Sequence, residues 1–345
     1  MKLNSSDKFE SAVLLIIALF FLFLIAILLS GRVLVRTQTN GSVKPATSGP
    51  PENFRWLDGQ PVAADQISLK PVAIVLENHF ESRPVSGLEY ASVIYETVVE
   101  GDITRFLAIF DSSIKAKKIG PVRSVRPFFV ELAEEWNAVL FHAGGSQDAM
   151  YKLTYSPVYN VNEISGDGIY FWRDKNRTPP HNLYTSADLV SRAMAAKEID
   201  PAADFLPWLF KDDLDQKINK SINQDSGNIK IDFLGNPLYQ VEYQYNPATN
   251  DYTRYLAGQV HKTDQGIVLK AKNVVVQHVK SKVLDDYGRL SINLQNGGLA
   301  EIYQDGQRID GRWKKVGYRT RFYDQKNDKE VEFNRGVIWV ELVFD

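Results

Sequence analysis

The chain contains no cysteine. That absence excludes disulfides, thiolate metal sites, a cysteine nucleophile and a lipid-modified cysteine. Excess charge of either sign is missing too: 40 basic residues stand against 42 acidic ones, for a net charge of -2. No nucleic-acid partner is expected from such a balance, because polyanions recruit a basic surplus. There is no Walker A loop, no dinucleotide fingerprint and no G-x-S-x-G elbow around Ser146. Ser112-Ser113-Ile114-Lys115 matches S-x-x-K, but no S-D-N or K-T-G follows. No motif names a cofactor. What is present is 345 residues at 44% hydrophobic, enough for two domains with cores of their own.

Ala12 to Leu29 is an unbroken apolar run, AVLLIIALFFLFLIAILL. As a helix it spans ~27 Å at ~1.5 Å per residue, close to a bilayer's hydrocarbon core. Being apolar on every face, it reads as a single N-terminal transmembrane helix over 12–30, after a short cytoplasmic N-terminus at 1–11. The Leu-Ser-Gly-Arg that follows is a poor cleavage site. Lys2 and Lys8 precede the run while Arg32, Arg36 and Lys44 follow it, so flanking charge does not favour export. Residues 37–53, rich in Thr, Ser, Gly and Pro, read as a flexible tether.

Beyond the tether the patterning predicts an α+β or α/β N-terminal domain over 54–210, a charged linker over 211–228, and a mostly β C-terminal domain over 229–345. Val72-Leu76 reads as a buried strand. Ala91-Glu100 and Ile103-Phe110 read as a hairpin across Gly101-Asp102, a two-residue loop. Pro127-Trp136 has Pro at its first position and one apolar face, so it reads as a helix. A further helix is expected near Ser186, with Thr185 and Asp188 as a capping box. In the second half Tyr239-Tyr245, Tyr252-Leu256 and Asn273-Val279 read as strands, and Asp305-Gly306 and Asp310-Gly311 as tight turns.

Polar residues gather where the strands of the first domain end. Glu77, Asn78 and His79 follow its first strand. Pairing across a two-residue loop sets Glu96, Glu100 and Arg105 on one face of the hairpin. Arg123, Ser124 and Arg126 lead directly into a helix, where guanidinium charge and free backbone N–H groups make an anion cradle. His142, Gly144, Gly145 and Ser146 form a second strand-to-helix junction, and Arg173, His181 and Asn182 a third polar cluster. Their joint occurrence points to one shared ligand pocket, and a solvated surface explains each cluster taken singly. His79, His142 and His181 lack the i, i+4 spacing of a helical metal site, so no metal is expected.

These same stretches resemble the YerB-like family of bacterial lipoproteins, built on a domain of unknown function with a C-terminal companion domain. The likeness is carried by Glu77-Asn78-His79 with Arg83-Pro84, EGDITRFLAIF at 100–110, GPVRSVRP at 120–127, HAGGS at 142–146 and PHNLYTS at 180–186. In the second half it continues through Tyr243 and Tyr245, Asn273-Val274-Val275, Gly297-Gly298, Gly311-Arg312-Trp313, Gly336 and Trp339. The resemblance implies a location outside the membrane and supplies no reaction. Family members are typically anchored through a lipidated cysteine; here the apolar helix takes that role. A weaker likeness, an acidic stretch before LAIFD at 107–111 and then an arginine-bearing loop, is to the LytR-CpsA-Psr envelope phosphotransferases. Two functions follow as expectations. One is a membrane-anchored envelope protein binding an anionic ligand, a cell-wall glycan or an envelope protein. The other is a phosphotransferase-like or hydrolytic enzyme using arginines with Glu96 or Glu100.

Overall fold

The computed structural model describes residues 53–213, 228–233 and 235–345. The expected membrane helix, nearly all of the tether and most of the linker lie outside the described residues. Among the described residues no helix is long and apolar enough to cross a membrane.

The described residues form one compact unit organised around a ten-stranded sheet. Its elements are β1 (Pro71–Glu77), β2 (Val93–Val99), β3 (Ile103–Asp111), α1 (Pro127–Glu135), β4 (Val139–His142), α2 (Gln147–Tyr155), β5 (Asn160–Asn162) and α3 (Ala187–Ala196). The second half adds β6 (Ile229–Ile231), β7 (Val241–Asn246), β8 (Asp251–Leu256), β9 (Asn273–Val279), β10 (Gly298–Gln304), β11 (Gln307–Val316), β12 (Arg319–Asp324) and β13 (Ile338–Phe344). The sheet runs β12-β11-β10-β9-β13-β2-β3-β1-β4-β5. The last strand of the chain therefore lies between β9 and β2, parallel to both, and the sheet crosses the expected boundary at 211–228.

Local sequence explains the central strands. All seven residues of β1, PVAIVLE, are buried, as a strand covered on both faces requires. β7 and β8 instead alternate buried and half-buried positions, so their small sheet has one face on the core and one toward water. On one face of the large sheet Val72, Ile74, Ile94, Phe106 and Trp339 pack with Tyr243 and Tyr252 of the small sheet and with Val190 of α3. On the other, Ala73, Val75, Leu107 and Val340 pack with Phe129, Leu132 and Trp136 from α1 and its end, and with Ala149 of α2. The fold is mostly β with few helices.

Three expectations about local structure differ from what is found. The β2–β3 loop is the three residues Glu100-Gly101-Asp102, with Gly101 at φ 76° and Asp102 at φ 52°, and Val99 pairs with Ile103. The register moves by one residue, which exchanges the faces of one strand relative to the other. Asp310-Gly311 is no turn but lies within β11, where Gly311 lets Ile302 approach across the sheet. Ser186, not Thr185, caps α3 by accepting a hydrogen bond from the Leu189 N–H.

Candidate functional site

The site starts from the pairing of Glu77, at the end of β1, with Arg105, near the start of β3. The segment 120–126 crosses this sheet end. Its backbone bonds β1 through Glu77 N to Pro121 O (3.0 Å) and Arg123 N to Val75 O (2.9 Å). It bonds the loop after β4 through Ala143 N to Arg123 O (3.1 Å) and Val125 N to Gly144 O (3.0 Å). Arg123, Ser124 and Arg126 are thus fixed beside Arg105, which donates from Nη1 to the Ser124 carbonyl at 2.8 Å.

Two carboxylates hold these cations. Arg123 Nε lies 3.1 Å from Glu77 Oε1, and Arg126 pairs with Glu100. Burial alone would raise the Glu100 pKa, but the hydrogen bond and charge of Arg126 outweigh it and hold the carboxyl below its ordinary value. Arg105 is buried, and its Nε has no partner among the described residues. Burial, with the Arg126 and Arg123 charges beside it, pushes its guanidinium down to about 9. Beside this cluster opens a groove of about 450 Å³ lined by Glu100, Ser124, Arg126, Ser146, Tyr287 and Arg289.

At the other end of the same chain of contacts, Arg123 Nη1 donates to the Pro180 carbonyl at 3.2 Å, and Glu77 Oε2 lies 2.8 Å from His181 Nδ1. His181 stacks on His79, ring centroids 5.0 Å apart, and Glu81 stands beside both. One ligand atom from each of His79, Glu81 and His181 lies within 4.8 Å of the others, a trio able to hold a metal. The sequence does not reveal this juxtaposition, because His79 and Glu81 lie far along the chain from His181. A second groove of about 510 Å³ opens here, lined in part by Glu81, Arg177, Thr178 and His181.

The other candidates stand apart from this line. Glu96 does not share a face with Arg105: it pairs across from Phe106 while Thr97 pairs with Arg105, so the shifted hairpin register sends Glu96 to the opposite face. His142 is buried, with Nδ1 2.8 Å from the Gly144 carbonyl, and burial lowers its pKa. It anchors the loop in which Gly144 takes φ 63° and Gly145 lies so close to Val125 that a Cβ would stand 2.8 Å from its side chain. Ser146 reaches the groove and also caps α2, accepting from the Ala149 N–H at 3.3 Å. Arg173 is tied to Glu163 (3.0 Å) and to the Asn182 side chain (3.2 Å), a clamp away from the three arginines.

Beneath the sheet Glu96 belongs to a sealed polar network. Asn78 donates to it at 3.0 Å, Thr104 also donates to it, and the fully buried Arg254 of β8 pairs with it. Arg254 Nε also donates to the Tyr243 hydroxyl at 3.1 Å, Tyr243 donates to Glu341, and Arg254 donates to His261. Burial, then the Glu96 charge, pushes Glu341 well above the ordinary carboxylate range, which favours its uncharged form. Burial, then the Arg254 charge, pushes His261 well below the ordinary histidine value. Sequence reasoning missed Arg254, yet a signal was there: in DYTRYL it occupies an inward position between Tyr252 and Leu256.

His261 gives a pH prediction. Its folded pKa is depressed, so its stabilising contribution is full above the unfolded value of about 6.5 and is lost as pH falls toward the folded value. A neutral His261 accepts from Arg254, and glutamine can accept in its place without titrating. Between pH 7 and pH 5 wild type should therefore lose about 2 kcal/mol relative to His261→Gln, at about 1.4 kcal/mol per pH unit. Urea unfolding of both proteins at the two pH values measures this, and parallel losses would show that His261 is not held neutral.

Two family profiles match this chain. "Protein of unknown function (DUF3048) N-terminal domain" matches residues 57–200, and the corresponding C-terminal domain matches 229–340. The chain belongs to the DUF3048 family. Among relatives, it is 34% identical over 279 residues to "Putative lipoprotein YerB" of Bacillus subtilis strain 168, covering 80% of this chain and 82% of that protein. The crystal structure of YerB from Bacillus subtilis superposes with a TM-score of 0.76 at 31% identity, covering 84% of this chain and 96% of that one. The segments that resemble the YerB-like family lie in both halves, and the two profiles match both. The two-domain arrangement of this DUF3048 chain matches that of YerB, with β13 of the C-terminal half placed beside β2 of the N-terminal half.

Proposed function

We propose that this protein is a membrane-anchored, extracytoplasmic component of the cell envelope whose N-terminal domain binds an anionic ligand in the groove beside Arg126. The apolar run Ala12 to Leu29 and the relative described as a lipoprotein support the envelope placement. One observation carries the ligand reading. Arg123 and Arg126 pair with Glu77 and Glu100, and the buried Arg105 beside them is left, among the described residues, with an unpartnered Nε. Three guanidinium groups against two carboxylates leave a positive surplus, and an anion in the groove would offset it. Phosphate and carboxylate groups suit the planar guanidinium fork, which favours a phosphorylated or acidic envelope glycan over a neutral one.

The rival reading is phosphotransfer or hydrolysis at the same arginines. Glu96 is sealed on the opposite face, so any base at this groove falls to Glu100, which its Arg126 contact keeps ionised. Calorimetric titration with pyrophosphate and with polyprenyl-linked glycan analogues tests both. A charge-assisted hydrogen bond contributes ~1.5–3 kcal/mol, and ~1.4 kcal/mol is a decade of affinity. Arg126→Ala should therefore weaken binding by about ten- to a hundredfold and leave the melting temperature within a few degrees. Unchanged affinity would retire the groove, and turnover of the pyrophosphate bond would favour the enzyme.

A further inference from the structure

We infer that His79, Glu81 and His181 form a binding site for a borderline divalent cation of the zinc class. The inference stands apart from the anion groove and does not depend on it. Zinc held at ~2.0–2.1 Å by nitrogen and oxygen in a tetrahedron sets neighbouring ligand atoms ~3.3–3.4 Å apart. Glu81 Oε2 lies 3.4 Å from His181 Nε2 and 3.8 Å from His79 Nδ1. The first distance already fits, and the second needs a movement of a few tenths of an ångström.

The second argument is the partner on the far side of the histidine. A histidine that binds metal through one nitrogen usually donates its other N–H to a carboxylate, which fixes the tautomer and raises the basicity of the ligating atom. His181 Nδ1 lies 2.8 Å from Glu77 Oε2, and Glu77 is buried, with its other oxygen held by Arg123. That contact places the proton on Nδ1 and leaves the Nε2 lone pair toward Glu81. His79 Nδ1 likewise presents a lone pair on the side of Glu81, where it accepts from the Glu81 backbone N–H at 3.3 Å. Such a long hydrogen bond is weak and easily exchanged for a metal bond.

Local structure fixes the spacing. β1 ends at Glu77, and the chain turns at once into a short 3-10 turn over Phe80–Ser82 that His79 caps. His79 and Glu81 therefore flank one residue at the start of that turn. Arg83 bonds the Asn78 carbonyl from Nη2 at 3.0 Å and so closes the turn back on the strand end. His181 arrives from a separate loop and is seated by Glu77 and the His79 ring. Glu81 Oε2 and His181 Nε2 span one tetrahedral edge, and all three ligand atoms lie within 4.8 Å of one another. A turn of the His79 ring out of its stack on His181 would complete three corners, with the groove of about 510 Å³ beside Glu81 and His181 leaving a fourth position for water or a ligand.

Without a cation His181 simply bridges Glu77 and Glu81 through its two ring nitrogens. Titrating chelator-stripped full chain in detergent with Co²⁺ and Zn²⁺ separates the two. The expected result is one equivalent bound, with visible Co²⁺ bands of tetrahedral intensity. Glu81→Gln and His181→Gln should each weaken binding at least tenfold. Glu77→Gln, which touches no ligand atom, should weaken it by about ten- to a hundredfold, the usual effect of losing an outer-shell carboxylate. Glu81 is exposed, so its variant remains folded and decides the matter even if the other two do not. No Co²⁺ binding by wild type, or binding that Glu81→Gln leaves unchanged, would overturn the site.

Discussion

Replacing Trp339 with alanine should destabilise both halves of the described unit together and by a large amount. Trp339 is on β13, the strand that pairs on one side with β9 and on the other with β2. Its ring is buried against Phe106 of β3 (centroids 5.8 Å apart) and Tyr243 of β7 (6.2 Å), with the Arg254 guanidinium 4.4 Å from its centre. Removing a buried Trp costs about 3–5 kcal/mol through lost transfer free energy and the cavity left behind. Because the ring touches elements from before and after the 211–228 segment, that cost falls on one cooperative transition. Thermal unfolding followed by tryptophan fluorescence and by far-UV circular dichroism should give coincident curves, shifted down together in the variant. A variant in which only a β-type component melts early, while the helical signal keeps its wild-type midpoint, would show that the halves fold independently.

That expectation differs from the division the sequence suggests, and the reason is topological. Strands with their own patterning were legible: β1, β9 and the β7–β8 pair follow from apolar runs and alternation, and α1 from its proline and single apolar face. The parallel pairing of β13 with β2 was not legible, since no turn joins them and both are apolar runs that many sheets would accept. Hairpin register failed for a related reason. Two- and three-residue loops both suit a glycine at this point, and only the observed pairing of Val99 with Ile103 decides.

One residue of slip then moved a candidate between two different sites. Glu77, Arg105, Arg123, Arg126 and His181 come together from strand ends and loops that the sequence marked as polar. Glu96 went to the sealed face instead, and Glu81 was overlooked because its partner His181 is a hundred positions away in the chain. Close spacing of His79 and Glu81 is a weak signal alone, and only the fold supplies the third member.

Glu96→Gln should be far more damaging than Glu341→Gln, although both carboxylates are buried in one network. Arg254 is fully buried, and Glu96 is the carboxylate group paired with it. Glutamine at 96 keeps the shape and removes the charge, leaving a guanidinium with no counter-ion away from water. Breaking a buried pair in this way costs about 3–5 kcal/mol. Burial and the Glu96 charge raise the Glu341 pKa well above the usual range and favour its neutral form, which an amide matches. Its cost should stay within about 1 kcal/mol, near that of one adjusted hydrogen bond. Urea unfolding at pH 7 compares the two, and equal losses would mean that the charge is shared rather than held on Glu96. The difference also bears on the metal site. Glu96 receives the Asn78 side chain at 3.0 Å, and Asn78 is the residue between Glu77 and His79. Loosening that bond should release the start of the turn that carries His79 and Glu81. A folded Glu96→Gln protein is therefore expected to bind Co²⁺ more weakly than wild type, while Glu341→Gln binds it as wild type does.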